Sequence, residues 1–327
     1  MLWVTWRQHR AELLVAALLL AGVAIPLLVT GAAMHAEYTT DGVAACVAAP
    51  DGTGCGRLVA AFLDRHSEWG NRFIWATLLP ALVGVFVGAP LLAREFEQGT
   101  WRLAFTQSVT RTRWLLTRLA LVGAGVAVLA LTLSALLTWW RGPLDAIDGH
   151  RLRTTSFVVA APSLVAATLF AFAVGVLAGA LLRRTIAAMG ATLACYLAVR
   201  LPVEEAVRPY LLSPLVRITE PGGTADTGWR PETEWVVANG WMDATGHRLT
   251  DREEVAITRE VYGNSDAVYG AGTPIERYLA DHGLRHYTEY HPAGSFLPMQ
   301  LVEAAAFLGL AAVLLAAAVW IVRRRTA

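Results

Sequence analysis

Long runs without a charged residue constrain this chain more than any other feature of its sequence. The five longest are Leu13–Met34, Phe73–Ala93, Leu119–Trp140, Thr154–Leu182 and Ala304–Val322. A helix needs about 20 apolar residues to cross the ~30 Å hydrocarbon core of a bilayer. A sixth window, Thr185–Arg200, is shorter and ends on a charge. The pattern predicts an all-α polytopic membrane protein with six transmembrane helices, in which Arg200 extends outward to the membrane interface.

Composition excludes several classes of function. Only 16% of the residues are charged, whereas soluble globular proteins have about 25%. The net charge of +1 gives no basic footprint for a nucleic acid. All 27 basic residues are arginine, and a Walker A loop requires a lysine at the β- and γ-phosphates. The chain therefore cannot be a standard P-loop ATPase, and lysine Schiff-base chemistry is excluded as well.

The distribution of arginine predicts how the chain is oriented. With the N-terminus inside, the inner segments carry twelve arginines and the short outer loops carry six. Arginine accumulates in short loops on the cytoplasmic side of a membrane. Exclusive use of arginine is typical of a GC-rich bacterial genome. The expected location is the bacterial plasma membrane, with both termini in the cytoplasm and membrane lipids around the spans.

The stretch before the last span differs from the rest. Residues 203–298 contain fifteen acids and eight arginines, and about 95 residues suffice for a small folded domain. Asn239-Gly240 between two apolar segments predicts a strand–turn–strand. Thr273-Pro274 predicts the start of a helix that ends near Gly283. We predict a mixed α/β extracytoplasmic domain at 203–298, spans one to five within 1–202, and the last span with a basic tail at 299–327.

Two shorter features lie near the N-terminus. Trp6, Arg7 and Arg10 are residue types that favour the membrane interface, so we expect an interfacial helix. A signal peptide is the alternative, but the uncharged run is longer than a typical signal sequence has. Cys46 and Cys55 share one outer loop, where they form either a disulfide or two free thiols.

Small residues recur inside two predicted spans. Gly84 and Gly88 lie four residues apart in span two, and Gly175 and Gly179 do so in span four. Small residues at this spacing allow two helices to approach closely. We interpret both pairs as packing positions.

A charged segment of twenty residues, Arg94–Arg113, separates spans two and three. Its opening, Glu95-Phe96-Glu97-Gln98-Gly99-Thr100, is followed by Ser108-Val109-Thr110-Arg111 and by Arg118. This arrangement resembles the loop after the second span in permease subunits of ABC-2-type transporters. Thr5–Arg10 and the segment from Tyr290 to Glu303 also resemble a bacterial subgroup of that family.

The resemblance implies a permease that exports its cargo, with a separate ATP-binding subunit and a second permease subunit as partners. ATP and Mg²⁺ would bind to the partner ATPase, and this chain would itself catalyse no reaction and hold no cofactor. That ATPase would grip a coupling helix at 94–113 and contact the N-terminal interfacial helix. The residues expected to couple are Glu95, Glu97, Gly99, Thr100, Trp101, Arg102, Phe105 and Arg111. With no charge near the middle of any predicted span, an amphipathic or lipid-like cargo is favoured.

Two alternatives come from other classes of protein. One is a non-transporting sensor whose outer domain binds a ligand or an envelope partner. The other is an intramembrane protease, since Glu204-Glu205 with Arg208, and Phe62 with His66, are similar to motifs of that class. A histidine cluster at 282–291 has helical metal-ligand spacing at its start, but Gly283 interrupts that helix and favours a solvated role.

Overall fold

The computed structural model describes residues 2–49, 54–98, 111–149, 151–221, 234–263 and 272–325. The chain divides into two compact units. The helical unit consists of Met1–Ile147, Arg153–Glu204 and Gln300–Ala327. The sheet unit consists of Asp148–Leu152 and Glu205–Met299.

Helices dominate the described residues. In chain order they are α1 (Leu2–Thr40), α2 (Val43–Ala48), α3 (Cys55–Arg72), α4 (Leu79–Val83), α5 (Ala89–Gln98), α6 (Arg111–Asp148), α7 (Thr154–Val159), α8 (Ala161–Leu182), α9 (Thr185–Pro202), α10 (Asp251–Tyr262), α11 (Pro274–Asp281) and α12 (Phe296–Arg325). A 3-10 turn precedes α4, and π-helical turns at Gly84–Gly88 and Val203–Val207 follow α4 and α9. The mostly helical architecture that the sequence predicts is confirmed.

Five helical segments among the described residues are long and apolar enough to cross a membrane. They are Trp75–Gln98, Thr112–Asp148, Ala161–Leu182, Thr185–Tyr210 and Ala293–Arg324, and we call them spans two to six to keep the predicted numbering. Helix α1 has 39 residues and includes the predicted first span, but it is not one of the five. The sixth transmembrane helix stays a prediction.

Span four is shorter than the uncharged window that predicted it. Between α7 and α8, Ala160 has an extended backbone with φ −65° and ψ 143°. Pro162 follows in the first turn of α8, where its missing N–H removes no helical hydrogen bond. The helix therefore begins at Ala161, and Thr154–Val159 is a separate short helix.

Spans two and four make main-chain contact through their glycines. A Cβ atom added to Gly84 would lie 2.5 Å from the carbonyl oxygen of Ala171. One added to Gly175 would lie 2.4 Å from the carbonyl oxygen of Gly84. Gly88 and Gly179 approach the opposite helix equally closely. Both glycine pairs are packing positions, as their spacing indicates.

A disulfide joins Cys46, in α2, to Cys55, the first residue of α3. Their Cα atoms are 5.3 Å apart, within the usual range for such a bond. Met34, Phe62 and Trp140 belong to one apolar cluster beside it. The two short helices thus pack against the ends of α1 and α6.

Within its described residues, the sheet unit contains three antiparallel strands in the order β1-β3-β2. Their bounds are β1 (Leu215–Thr219), β2 (Glu234–Met242) and β3 (Arg285–Pro292). Trp241, Ile275 and Leu279 lie in the core that the sheet shares with α11. A small mixed α/β fold in this part of the chain agrees with the prediction.

The predicted turn at Asn239-Gly240 is wrong. Asn239 pairs with Thr288 and Gly240 pairs with Tyr287, so β2 continues through both residues. Glycine leaves room here for the Glu254 carboxylate. A Cβ atom added at Gly240 would lie only 2.6 Å from Glu254 Oε1. That carboxylate oxygen accepts a hydrogen bond of 2.7 Å from the backbone N–H of Trp241.

The two helices of the sheet unit begin with identifiable caps. Thr273 and Pro274 start α11, which ends at Asp281 before Gly283 with φ +65°, and this prediction is confirmed. At the start of α10, Glu253 Oε2 accepts a hydrogen bond of 2.6 Å from the Thr250 N–H. This bond lowers the pKa of Glu253, which keeps the carboxylate charged beside the helix N-terminus.

Candidate coupling site and a buried ion cluster

Of the arginines that predict the cytoplasmic side, Arg94, Arg118, Arg183 and Arg323 lie at helix ends that gather at one end of the helical unit. We call this the basic end and define it by the end of α5, the start of α6, the turn between α8 and α9, and the end of α12. Leu92, Leu115 and Val322 share one apolar cluster here. Ala93 and Ala188 share another. Apolar packing therefore brings these helix ends together.

Glu97, near the end of α5, binds the first residue of α9. Its Oε2 accepts hydrogen bonds of 3.0 Å from Thr185 N and 2.7 Å from Thr185 Oγ1. The first N–H groups of a helix have no helical partner, and the helix dipole favours a negative charge there. Glu97 thus caps the start of span five from a different helix.

The two residues before Glu97 also contact neighbouring helices. Glu95 forms an ion pair with Arg118 of α6, and these side chains are 21% and 25% exposed. The guanidinium of Arg183 lies over the Phe96 ring, 5.3 Å from its centroid. Arg183 is the residue with φ 54° that ends α8. Residues 95–97 of span two therefore contact span three, the α8–α9 turn and the start of span five.

The remaining predicted coupling residues stay predictions. Gly99, Thr100, Trp101, Arg102 and Phe105 lie outside the described residues. Arg111 is the first residue of α6, and Trp6, Arg7 and Arg10 lie in the first turns of α1. For these four residues the structure describes the backbone only.

The opposite end of the helical unit contains an ion cluster that the sequence analysis missed. Arg200 Nε lies 2.7 Å from Glu204 Oε1, and its Nη1 lies 2.8 Å from Glu303 Oε1. Arg200 and Glu303 are both only 1% exposed. The expectation that Arg200 extends outward to the interface is wrong, because Glu204 of the same span and Glu303 of span six bind its guanidinium inside the protein.

Uncharged polar groups complete this ion cluster. Ser163 Oγ donates a hydrogen bond of 2.6 Å to Glu303 Oε1. Gln300 Oε1 accepts one of 2.9 Å from Ser163 N, while Gln300 Nε2 donates one of 2.7 Å to the Phe157 carbonyl oxygen.

A second part of the cluster reaches span two. The Tyr196 hydroxyl donates a hydrogen bond of 3.0 Å to the Thr77 carbonyl oxygen. Thr77 Oγ1 in turn donates one of 3.3 Å to Glu204 Oε1. Spans two, four, five and six all contribute side chains or backbone groups to the cluster.

Sequence signals for this cluster exist, although none is decisive. Arg200 and Glu204 are four residues apart, the spacing of an ion pair on one helix. Pro202 lies between them, and Glu204 lies in a π-helical turn, a feature that often marks functional sites. Charged residues inside a membrane protein are costly and are commonly functional. The ion cluster is therefore a second candidate site.

The histidines that the sequence analysis considered for a metal or protease site each contact a different group. His286 Nε2 lies 2.9 Å from Glu276 Oε1, and His291 Nε2 lies 2.8 Å from the Pro209 carbonyl oxygen. His66 Nε2 lies 2.9 Å from Glu37 Oε2. In the part of the chain that the structure describes, no group of three or more His, Cys, Asp or Glu side chains is arranged to hold a metal ion.

Among the described residues, five helices are long and apolar enough to cross a membrane, which indicates a polytopic membrane protein. The family model for "ABC-2 membrane transporter related" proteins matches residues 17–208, which is more than half of the chain. The protein belongs to this family, and its predicted resemblance to ABC-2-type permeases is confirmed. Comparisons with curated proteins and with solved structures found no match. Permeases of the ABC-2 type are the membrane subunits of transporters and normally work with an ATP-binding subunit.

Proposed function

We propose that this protein is the membrane-spanning subunit of an ABC exporter for an amphipathic or lipid-like compound. Two such subunits, identical or related, form the pathway in the bacterial plasma membrane, and a separate ATPase with ATP and Mg²⁺ binds on the cytoplasmic side. Family membership supports the transporter class. The basic end is then cytoplasmic, because arginine favours that side of the membrane.

The contacts of residues 95–97 carry the coupling part of the proposal. The ATPase presses on the segment Arg94–Arg113, which begins in the last turns of α5. Movement of α5 reaches the start of α9 through the Glu97–Thr185 hydrogen bonds and reaches α6 through the Glu95–Arg118 ion pair. ATP-driven closure of the ATPases thereby biases the spans between two arrangements.

In this proposal Glu97 acts within the chain. A carboxylate that accepts two hydrogen bonds from Thr185 transmits movement between helices. The ATPase would bind to the more distal coupling residues, with Trp101 and Phe105 as apolar anchors in a partner groove.

Matched variants on both sides of the hydrogen bond test the proposal. The chain is co-expressed with the ATPase encoded in the same operon, and retention of the ATPase in mild detergent is measured. Transport of a rhodamine dye into inverted membrane vesicles is measured in parallel. Glu97→Gln and Thr185→Val are expected to retain the ATPase and to lower transport, because each weakens the hydrogen-bonded contact between α5 and the start of α9. Glu205→Gln, which changes an exposed acid, is the control.

Three other outcomes would each contradict a different part of the proposal. Loss of the ATPase with Glu97→Gln but not with Thr185→Val would make Glu97 a contact of the partner instead of a link between helices. Normal transport in both variants would overturn the coupling route. If the wild-type protein retains no ATPase, the sensor alternative replaces the transporter proposal.

A further inference from the structure

A groove of about 500 Å³ lies between α6 and α12 at the basic end. Leu116 and Leu119 of α6 line one side. Leu315, Val319, Trp320 and Arg323 of α12 line the other. It shares no residue with the coupling contacts at 95–97 or with the ion cluster.

The groove combines an apolar wall with one cationic group at its end. Arg323 lies in the last turn of α12, two turns beyond Leu315 on the same helix. At a rise of 1.5 Å per residue, Leu315 and Arg323 are about 12 Å apart along the axis. A ligand that fits has an apolar chain of at least this length and an anionic head.

The charge of Arg323 is available to such a ligand. Nearby Arg118 is paired with Glu95, and Arg324 lies over the Trp320 ring, 4.3 Å from its centroid. Within the described residues, no carboxylate forms an ion pair with Arg323. An anionic head would therefore meet a guanidinium that no carboxylate among the described side chains binds.

The position of the groove indicates where the ligand comes from. Span six ends at Arg324, so the Arg323 end of the groove lies where the hydrocarbon core meets the headgroups. Trp320 is 54% exposed, and tryptophan favours this depth. Basic pockets between transmembrane helices on the cytoplasmic side are known binding sites for anionic lipid headgroups.

We propose that the groove between α6 and α12 binds an anionic phospholipid of the bilayer. One acyl chain lies against Leu116, Leu119 and Leu315, and the phosphate binds Arg323. The lipid joins span three to span six at the basic end. Glu95 contacts span three at the same end, through its ion pair with Arg118. This site does not depend on the transport proposal, because it requires only a bilayer with anionic lipid.

The test uses the delipidated full-length protein in detergent. Binding of phosphatidylglycerol and of phosphatidylcholine is measured by native mass spectrometry, and the melting temperature is recorded with each lipid. Phosphatidylglycerol is expected to bind more tightly and to raise the melting temperature more. Arg323→Gln should lower the apparent affinity for phosphatidylglycerol by about fivefold, the effect of one arginine near an anionic headgroup. Arg324→Gln, which removes the same charge one residue later, should change it by less than about twofold.

Val319→Trp, which fills the groove, should block both lipids while the melting temperature without lipid stays unchanged. Equal effects of Arg323→Gln and Arg324→Gln would overturn the site, since general electrostatic attraction would then explain binding. Equal binding of the two lipids would reduce the groove to an apolar contact with bulk lipid. A change of oligomeric state in Val319→Trp without any change in lipid binding would assign the groove to a second copy of the chain.

Discussion

Polar side chains hold the two ends of the helical unit together in different ways. At the ion cluster, Arg200, Glu303 and Ser163 are buried, and their bonds connect spans four, five and six. At the basic end, Glu95 and Arg118 are partly exposed, and water can replace their contacts. Removing one partner of a buried ion pair costs about 3–5 kcal/mol, whereas an exposed pair contributes less than about 1 kcal/mol.

This difference in energy indicates which end can move. Contacts of low energy at the basic end can break and reform during a cycle without loss of the fold. The ion cluster fixes span five against span six, because separating them leaves the buried Glu303 carboxylate without its guanidinium partner, and hydrogen bonds add spans two and four. A partner that binds at the basic end would thus act on helices that are held at their far ends.

The largest expected effect comes from breaking the ion cluster. Arg200→Met leaves the carboxylates of Glu204 and Glu303 without their shared guanidinium and should lower the free energy of unfolding by about 3 kcal/mol or more. Unfolding in SDS measures the change. Arg252→Met, at an exposed position of α10, is the control and should change it by less than about 0.5 kcal/mol.

A triple variant separates charge from packing at the ion cluster. Arg200→Met combined with Glu204→Gln and Glu303→Gln leaves no buried charge among these three residues and should recover most of the lost stability. A triple variant as unstable as Arg200→Met alone would contradict the charge argument and assign the loss to the shape of the arginine side chain.

An intermediate effect is expected where spans two and four touch. Gly175→Ala places a methyl group against backbone atoms of Gly84 and Ala89 and should lower the free energy of unfolding by about 1–3 kcal/mol, since the backbone cannot move aside cheaply. Gly190→Ala adds the same methyl group to α9, where no atom lies within 4 Å. It should be neutral or slightly stabilising. Equal behaviour of the two variants in SDS unfolding would disprove the main-chain contact.

The smallest effect on stability is expected at the basic end. Glu95→Gln and Arg118→Gln each remove the same partly exposed ion pair and should lower the free energy of unfolding by less than about 1 kcal/mol. The same SDS titration measures both. A loss as large as that of Arg200→Met would remove the distinction between the two ends.

The sequence predicts those parts of the structure that depend on local composition. Uncharged runs of membrane length identify spans two to six, and Thr273-Pro274 with Gly283 gives both ends of α11. Glycines spaced four apart predict the contact between spans two and four. In each case the property that decides the structure lies within a few consecutive residues.

Properties that depend on distant residues are less predictable. Arg200 looks like a residue at a span end until Glu303, 103 positions later, is placed beside it. Gly240 looks like a turn residue until the Glu254 carboxylate occupies the space of its missing side chain. At the candidate coupling site, the motif indicates that Glu97 matters, but its hydrogen-bond partner Thr185 lies 88 residues later, at the start of span five.

The contact between Gly84 and Gly175 also restricts the route of any cargo. Backbone atoms of spans two and four are so close that a methyl group does not fit between them, so neither a lipid tail nor a solute can pass there. The two helices form one continuous wall that carries the Glu95–Glu97 segment at its edge. Anything that crosses the membrane with this protein must travel along other helix faces, and cysteine accessibility scanning can begin with those.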